Sequence, residues 1–311
     1  MTMSLVFAML LTGSVYTNVA TAGNASDLRV AATVAPVHSL VSMVTDGMIV
    51  PELIIRPGAS PHNYALKPSE ARALNDADVV FWVGQSLEPW MAKAVTTLAG
   101  GAVVVELGAT EGVERLAFRK NGLWSGLDQQ GDAHHADSHG QGMDPHLWLA
   151  PNNALIWLDV IANTLAESDP GHAEDYRRNA EAAAGHIRST VAEIEVMLRP
   201  LNETPYLVFH DAYQYFEHHF DLHPLGAISL SDAVRPGPAH LIDLKKAIAE
   251  SGAVCAFAEP QFAPRLIDTV IDGSKVKKGI LDPIGAGLQP GAGLYLSLMR
   301  GLAVSLTECL G

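Results

Sequence analysis

The sequence contains one long stretch in which apolar residues follow the periodicity of an α-helix without interruption. From Tyr176 onward they recur at spacings of 4, 4, 3, 4, 3 and 4 residues, which places them on one helix face. These residues are Tyr176, Ala180, Ala184, Ile187, Val191, Ile194 and Leu198. Asp169 and Pro170 form a helix-start signal, and Pro200 ends the pattern. A helix over 170–198 would be about 44 Å long, so we predict a rigid connector between two lobes.

Short apolar runs alternate with helical patterns on both sides of this connector. The predicted strands are residues 28–34, 49–55, 79–83 and 103–106 before it, and 206–209, 254–258 and 279–281 after it. The predicted helices are residues 35–44, 67–74, 211–220, 238–251, 261–272 and 291–310. Such alternation favours β-α units and parallel sheets. We therefore predict an α/β fold with two lobes, each a mostly parallel sheet flanked by helices, joined by one long rigid helix.

The 311 residues are enough for two domains of ordinary size. An apolar run over 5–11 and the small residues Ala20-Thr21-Ala22 are typical of a secretory signal peptide, predicted over 1–22. The N-terminal lobe is predicted over 23–168, the connector over 169–200 and the C-terminal lobe over 201–311. Because no later segment is long and apolar enough to span a bilayer, we expect a soluble, exported, periplasmic protein.

The charge balance excludes one class of partner. Acidic residues number 34 and basic residues 20, which gives a net charge of −14 and argues against binding to nucleic acid or an anionic membrane. The chain has thirteen histidines but only two cysteines. With so few cysteines we expect neither a zinc finger nor a disulfide-dense mini-domain, so a metal site would consist mainly of imidazole and carboxylate groups.

The two cysteines lie in the predicted C-terminal lobe. Cys255 falls in a strand-like run, and Cys309 lies at the end of the last helical pattern. In an oxidising compartment the pair can form a disulfide that ties the terminal helix to this lobe. The alternative from the sequence alone is two buried free thiols.

Four polar residues follow strands or occupy loops where a ligand site could form. His62 follows the second predicted strand, His146 lies in the loop MDPHLWLAP, and His210 and Asp282 each come directly after a strand. Loops beyond the carboxyl ends of parallel strands converge on the ligand crevice. Two of the four precede the connector and two follow it, so the site would lie between the lobes. Three imidazoles and one carboxylate suit a tetrahedral Zn²⁺ ion.

Each of these residues also has a simpler interpretation. A single histidine in a loop is more often solvated than bound to a metal, and an aspartate before proline is an ordinary turn residue. Only the shared placement of the four favours a site. Glu259, which also ends a strand, is a candidate for holding a ligand imidazole or a loop amide, with Asp144, Asp211 and Arg235 as weaker candidates.

A second group of histidines lies in a polar segment over 126–142. His134, His135 and His139 form an HHxxxH pattern there. We predict a loop that collects zinc loosely, since a segment without fixed geometry cannot form the tight site; a soluble spacer is the alternative. The remaining histidines are expected to be at the surface or structural. They are His38, His172, His186, His218, His219, His223 and His240.

Several segments together resemble a known family. They are GASPHNYALKPSEARALNDADVVFWVG, DPHLWLAP, VFHDAYQYF, FAEPQF and LDPIG. In order and approximate spacing they are similar to the cluster A-I metal receptors among the solute-binding proteins of ABC transporters, and more narrowly to the zinc-uptake, ZnuA-like branch. The resemblance runs from about residue 30 to the C-terminus.

The resemblance implies a monomeric receptor that holds Zn²⁺ between its lobes and delivers it to the membrane permease of an ABC importer. It implies that His62, His146 and His210 are metal ligands and that Asp282 is the fourth. In some relatives a water or a nearby Glu fills the fourth place, but here Pro61 stands where some zinc receptors carry Glu. The resemblance also extends to the Cys255–Cys309 disulfide and to a His-rich loop, with little hinge motion on binding.

Other functions are less consistent with the sequence. A manganese or iron receptor of the same fold is the nearest alternative, although manganese receptors place a carboxylate at the position of His210. A zinc hydrolase would need an open coordination position and a general base. Only Glu259 could serve as that base, and the HExxH motif is lacking. A surface adhesin is possible for this class of receptor, but no motif here favours it.

Overall fold

The structure is a computed structural model that describes residues 26–119, 122–124, 142–229, 236–262 and 265–311. The predicted signal peptide over 1–22 lies outside the described residues. So do His134, His135 and His139, together with all of the predicted His-rich loop except Gly142.

The N-terminal lobe contains a four-stranded parallel sheet in the order β2-β1-β3-β4. Its strands are β1 (Val30–Ala32), β2 (Glu52–Leu53), β3 (Val79–Trp82) and β4 (Val103–Glu106). Its helices are α1 (Ala35–Thr45), α2 (Pro68–Asp76), α3 (Met91–Thr97) and α4 (Pro151–Ser168). Every residue of β1 and β3 is buried, as expected for central strands covered on both faces.

The second sheet repeats this strand order after the long helix α5 (Ala173–Leu198). It is parallel, in the order β6-β5-β7-β8. Its strands are β5 (Tyr206–His210), β6 (Gly226–Ser229), β7 (Cys255–Ala258) and β8 (Lys277–Ile280). The helices are α6 (Gln214–Phe220), α7 (Pro238–Ser251), α8 (Arg265–Ile271) and α9 (Leu294–Leu310). The predicted fold class of two parallel α/β lobes is confirmed.

The long helix is confirmed, with shifted ends. Its α-helical part has 26 residues, about 39 Å, and is flanked by 3-10 turns over Pro170–His172 and Arg199–Leu201. The face predicted from the apolar spacing is the one that it buries. This face packs against α1 and α4 of the first lobe and α9 of the second. The helix is therefore part of one core that continues through both lobes.

Cys255 on β7 and Cys309 near the end of α9 form a disulfide, so the alternative of two free thiols is wrong. The bridge ties α9 to the second sheet, while the same helix packs against α5 and α1. None of the helices in the described ranges combines the length and apolar character needed to cross a membrane.

Several local predictions from the sequence differ from the structure. The strand expected over 49–55 is reduced to Glu52–Leu53. Pro51 before it has no amide hydrogen to donate, and the amides of Ile54 and Ile55 donate to the carbonyls of Ala32 and Thr33, at 3.0 and 2.8 Å, at the end of the pairing with β1. Helices α3 and α4 and strand β6 were not predicted. The pattern of α4 was readable, since Pro151 occupies its first turn and Ala154, Trp157, Leu158 and Ile161 share a buried face.

Candidate metal centre

His62 reaches the space between the lobes from the loop that follows β2. Its backbone amide donates to Ser60 Oγ at 3.3 Å, and the preceding carbonyl of Pro61 accepts from Trp90 Nε1 at 2.9 Å. The Trp90 ring in turn packs against Tyr64 at a centroid distance of 5.6 Å. These contacts position the loop, and the imidazole of His62 is half-buried.

His146 is held by the aspartate two residues before it. Asp144 Oδ1 accepts from both the backbone amide of His146, at 2.9 Å, and its ring Nδ1, at 2.7 Å. Burial raises the pKa of the Asp144 carboxyl to about 6, while the amide of His146 and the charge of Arg119 act in the opposite direction. Because an ionised carboxylate only accepts, Nδ1 of His146 carries the proton and Nε2 keeps its lone pair.

His210 is held in the same way by a neighbouring strand. It is the last residue of β5, which pairs in parallel with β7, and Glu259 comes directly after β7. Glu259 Oε1 lies 2.6 Å from Nδ1 of His210 and 3.3 Å from its backbone amide. Both side chains are buried. The ring of His210 therefore also presents Nε2 toward the space between the lobes.

The three imidazoles meet through their Nε2 atoms. Nε2 of His146 lies 3.4 Å from Nε2 of His62 and 3.4 Å from Nε2 of His210. One potential ligand atom from each of the three histidines lies within 4.8 Å of the others. They line a cavity of about 20 Å³ between the lobes, which is room for a single ion or water. Such a group of nitrogen donors could hold a divalent metal ion.

The lobes also contact each other beside this group. Trp148, two residues after His146, donates from Nε1 to the carbonyl of Pro283 at 2.7 Å. Tyr295 on α9 donates from its hydroxyl to the carbonyl of Trp148 at 2.9 Å. The segment that carries His146 is therefore fixed against the C-terminal lobe.

The structure does not bring Asp282 into the group of potential ligand atoms formed by the histidines. Its Oδ1 accepts from the backbone amides of Ile284, at 3.2 Å, and Gly285, at 2.9 Å. Its Oδ2 makes one longer contact, 3.4 Å from the amide of Gly287. In these contacts Asp282 organises its own turn, as an aspartate before proline commonly does.

The other described histidines lie away from the three. His38 is buried, and its Nε2 contacts the carbonyl of Pro51 at 2.9 Å; burial lowers its pKa. His218 and His223 are exposed and pair with Glu114 and Asp221, at 3.1 and 3.3 Å. Of the remaining four, His172 pairs with Asp169, and His240 contacts the carbonyl of Ala227. His186 is exposed on α5, and His219 is half-buried on α6.

Asp144 was only a weak candidate in the sequence, yet its contact with His146 matches that of Glu259 with His210. The sequence feature that could have identified it is its position two residues before His146. At that separation an aspartate can reach both the backbone amide and the ring of the histidine. Arg119, whose side chain pairs with Asp211 and Glu217, gave no sequence signal, because these partners lie 92 and 98 residues away.

Comparisons with known proteins give a consistent result. A family model described as ZnuA, zinc-uptake complex component A, periplasmic, matches residues 30–309. A relative from Brucella abortus, named high-affinity zinc uptake system protein ZnuA, is 41% identical over 90% of this chain and 91% of its own length. The protein of the same name from Paracoccus denitrificans is 38% identical over 91% of this chain and 92% of its own length.

Among solved structures, the solute-binding protein FpvC of Pseudomonas aeruginosa in complex with Mn²⁺ has the same fold. Its TM-score is 0.76 at 23% identity, over 92% of this chain and 99% of that one. The family match and the identity to full-length relatives together lead to one assignment. The chain belongs to the ZnuA family of zinc-uptake complex components.

Proposed function

We propose that this protein is a periplasmic receptor that captures Zn²⁺ between its two lobes and delivers it to the membrane permease of an ABC importer. The proposal is supported by the names of its full-length relatives, which are zinc uptake proteins, and by three imidazoles that converge at the lobe interface. His62, His146 and His210 are the proposed zinc ligands.

The spacing of the Nε2 atoms carries the proposal. A tetrahedral zinc ion with Zn–N distances of about 2.0–2.1 Å has N···N edges of about 3.3–3.4 Å. Nε2 of His146 lies 3.4 Å from Nε2 of each of the other two histidines. These two distances match the edges of a tetrahedral zinc site and support zinc as the ion that the three histidines would hold.

The buried carboxylates supply the second half of the argument. Asp144 and Glu259 accept from Nδ1 of His146 and His210, which fixes the tautomer and makes Nε2 a better donor to a metal. Three imidazole nitrogens favour zinc over manganese, which prefers carboxylate and other oxygen ligands. Zinc is therefore the proposed cargo, and a manganese or iron receptor is the alternative.

Asp282 remains the proposed fourth ligand. Its Oδ1 accepts from the amides of Ile284 and Gly285, at 3.2 and 2.9 Å, whereas among the described residues Oδ2 has one longer contact, 3.4 Å from the amide of Gly287. Oδ2 is therefore the oxygen that a metal could recruit, after a movement of this side chain toward the histidines. If Asp282 is a ligand, Asp282→Asn will weaken zinc binding while leaving these turn contacts largely in place.

A role as a zinc hydrolase has less support. A catalytic zinc site needs a general base next to an open coordination position. The two carboxylates nearest the histidines, Asp144 and Glu259, are already engaged with imidazole Nδ1 atoms. We therefore propose a binding protein and not an enzyme. The predicted signal peptide over 1–22 is consistent with the proposed periplasmic location, and a single chain is the proposed functional unit.

The test is a zinc titration of metal-free protein against a competing chelator. We expect one tight site in the wild type and a loss of affinity by orders of magnitude in His62→Ala and His210→Ala. His186→Ala, on the exposed face of α5, is the matched control and should bind like the wild type. Unchanged tight binding in both site variants would reject the assignment.

Delivery to an importer needs a separate experiment. In the organism that carries the gene, its deletion should impair growth when a zinc chelator is present. The wild-type gene should restore growth, whereas the His210→Ala variant should not. Normal growth of the deletion strain under zinc limitation would argue against an uptake role, even if the isolated protein binds zinc.

A further inference from the structure

We propose that Arg119 is a positioning residue that holds the His210 segment of the C-terminal lobe in register with the His146 segment of the N-terminal lobe. This inference rests on the proposed function, because it concerns the affinity of the same zinc site. Arg119 does not itself approach the metal position; it acts through the two segments that carry ligands.

The side chain of Arg119 crosses from one lobe to the other. It comes from the N-terminal lobe, and its guanidinium donates to Asp211 through both Nε and Nη2, with Nε 3.0 Å from Oδ1. Nη2 also donates to Glu217 Oε2 at 2.7 Å. Both carboxylates are buried, and Asp211 directly follows His210. The guanidinium of Arg119 therefore fixes the residue that directly follows His210.

The guanidinium of Arg119 also stacks on an aromatic ring that is close to it in sequence. Its central carbon lies 3.5 Å from the centroid of the Trp124 ring, a stacking contact that favours arginine over lysine. Trp124 itself pairs with the C-terminal sheet, since its amide donates to the carbonyl of Leu225 at 2.7 Å. The amide of Ala227 donates back to the carbonyl of Gly122 at 2.9 Å.

These contacts define a strap, residues 116–119 and 122–124, that starts in one lobe and ends on the edge of the other sheet. Leu123 forms an antiparallel bridge with Gly226 of β6. The approach is close enough that a Cβ at Gly226 would lie 2.0 Å from the carbonyl oxygen of Gly122. The strap is therefore tightly fitted to this edge.

The strap also reaches the His146 segment. Leu116 pairs with Asp144 through the amide of Asp144, which donates to the carbonyl of Leu116 at 2.8 Å. The hydroxyl of Tyr215, on α6, lies between the same two residues: it accepts from the amide of Leu116 and donates to the carbonyl of Asp144. Asp144 holds His146, so the strap contacts the supports of two proposed ligands.

The direction of the change in zinc affinity distinguishes a positioning role of Arg119 from a purely electrostatic effect. Removing a positive charge near a bound dication should, by charge alone, strengthen its binding. Loss of a positioning contact should instead weaken it, since a displaced ligand support typically lowers metal affinity about 10–100-fold. The direction of the change in Arg119→Met is therefore diagnostic.

A role only in folding also makes a different prediction. Breaking a buried ion pair destabilises a protein strongly, so Arg119→Met should unfold more easily in either case. If Arg119 only stabilises the fold, the metal-free and zinc-bound proteins lose equal stability and the zinc Kd is unchanged. If it positions the ligands, the Kd itself rises and zinc stabilises the variant less.

The experiment measures the zinc Kd of the full-length wild type, Arg119→Met and Arg119→Lys by chelator competition, with Co²⁺ absorption spectra as a second readout. We expect the Kd to rise about 10-fold or more in Arg119→Met, with an altered Co²⁺ spectrum, and to a smaller extent in Arg119→Lys. The control is Arg115→Met, which removes the same charge four residues earlier; within the described part of the chain Arg115 donates to the backbone carbonyls of Gly108 and Thr110.

The outcomes are distinct. A wild-type Kd and Co²⁺ spectrum in both Arg119 variants would overturn the proposal, as would tighter binding in Arg119→Met. If Arg119→Met does not fold, Arg119→Lys decides: a wild-type Kd and spectrum overturns the proposal, and a raised Kd supports it. Failure of the wild type to bind zinc tightly would instead reject the proposed function.

Discussion

Glu259 accepts from His210 across two adjacent parallel strands, with Oε1 2.6 Å from Nδ1. We predict that Glu259→Gln raises the zinc Kd about 10–100-fold, because a neutral amide accepts more weakly and lowers the basicity of the ligand nitrogen. Chelator competition measures the Kd. The control is Asp169→Asn, since Asp169 contacts His172 Nδ1 at 2.8 Å in the same way but far from the site. An equal effect of both changes would contradict a specific role for Glu259.

Removal of residues 128–141 should leave one tight zinc site. This deletion takes out His134, His135 and His139 but keeps Gly142, whose carbonyl accepts from the amide of Phe118 at 3.3 Å. The HHxxxH pattern should bind zinc only weakly, so total zinc binding should fall at high zinc while the tight Kd stays the same. Equilibrium dialysis over a range of zinc concentrations gives both values. A lost tight site would mean that the loop supplies essential ligands.

The buried Glu88 should make stability depend on pH. It is fully buried, its Oε2 accepts from the amide of Val83 at 2.9 Å, and burial raises its pKa from 4.5 to about 7. In the unfolded chain the carboxyl loses its proton at lower pH, so the folded state loses stability as pH rises from about 4.5 to about 7. Glu88→Gln removes this loss, worth about 3 kcal/mol.

Urea unfolding of the metal-free protein at pH 5 and pH 8 tests this prediction. The stability of Glu88→Gln relative to the wild type should increase between the two pH values, which cancels the titration of all other groups. A pH-independent difference between Glu88→Gln and the wild type would show that Glu88 has an ordinary pKa.

The Cys255–Cys309 disulfide should stabilise the C-terminal lobe without tuning the metal site. It links β7 to α9 across 54 residues of sequence, and its loss should lower the free energy of unfolding by about 2–4 kcal/mol. We therefore expect the double Cys→Ser variant to unfold at lower urea concentration with an unchanged zinc Kd. A large rise in Kd would instead connect α9 to the ligand geometry.

Most of the architecture could be predicted because its signals are local. The apolar spacing from Tyr176 to Leu198 depends on one helix face, and the positions of His62 and His210 after strands depend on sheet topology alone. The strand around Glu52 was predicted too long, because the buried Ile49, Ile54 and Ile55 on either side of it look like strand residues in the sequence.

The supports of the site were harder to predict because they are tertiary contacts. Arg119 meets Asp211 only after the two lobes pack together, and no periodicity relates residues 92 positions apart. For Asp282 the sequence suggested a metal ligand, because the residue follows a strand. In the structure its carboxylate instead accepts from backbone amides of the turn that follows. Competition between a turn and a metal for one side chain cannot be decided from spacing.

The most direct test of the account is a competition titration of the metal-free protein with Zn²⁺ and Mn²⁺ together. We predict that one equivalent of zinc binds tightly, that excess manganese does not displace it, and that His146→Ala abolishes this binding. Equal competition by manganese, or wild-type zinc affinity in His146→Ala, would contradict a zinc site formed by His62, His146 and His210.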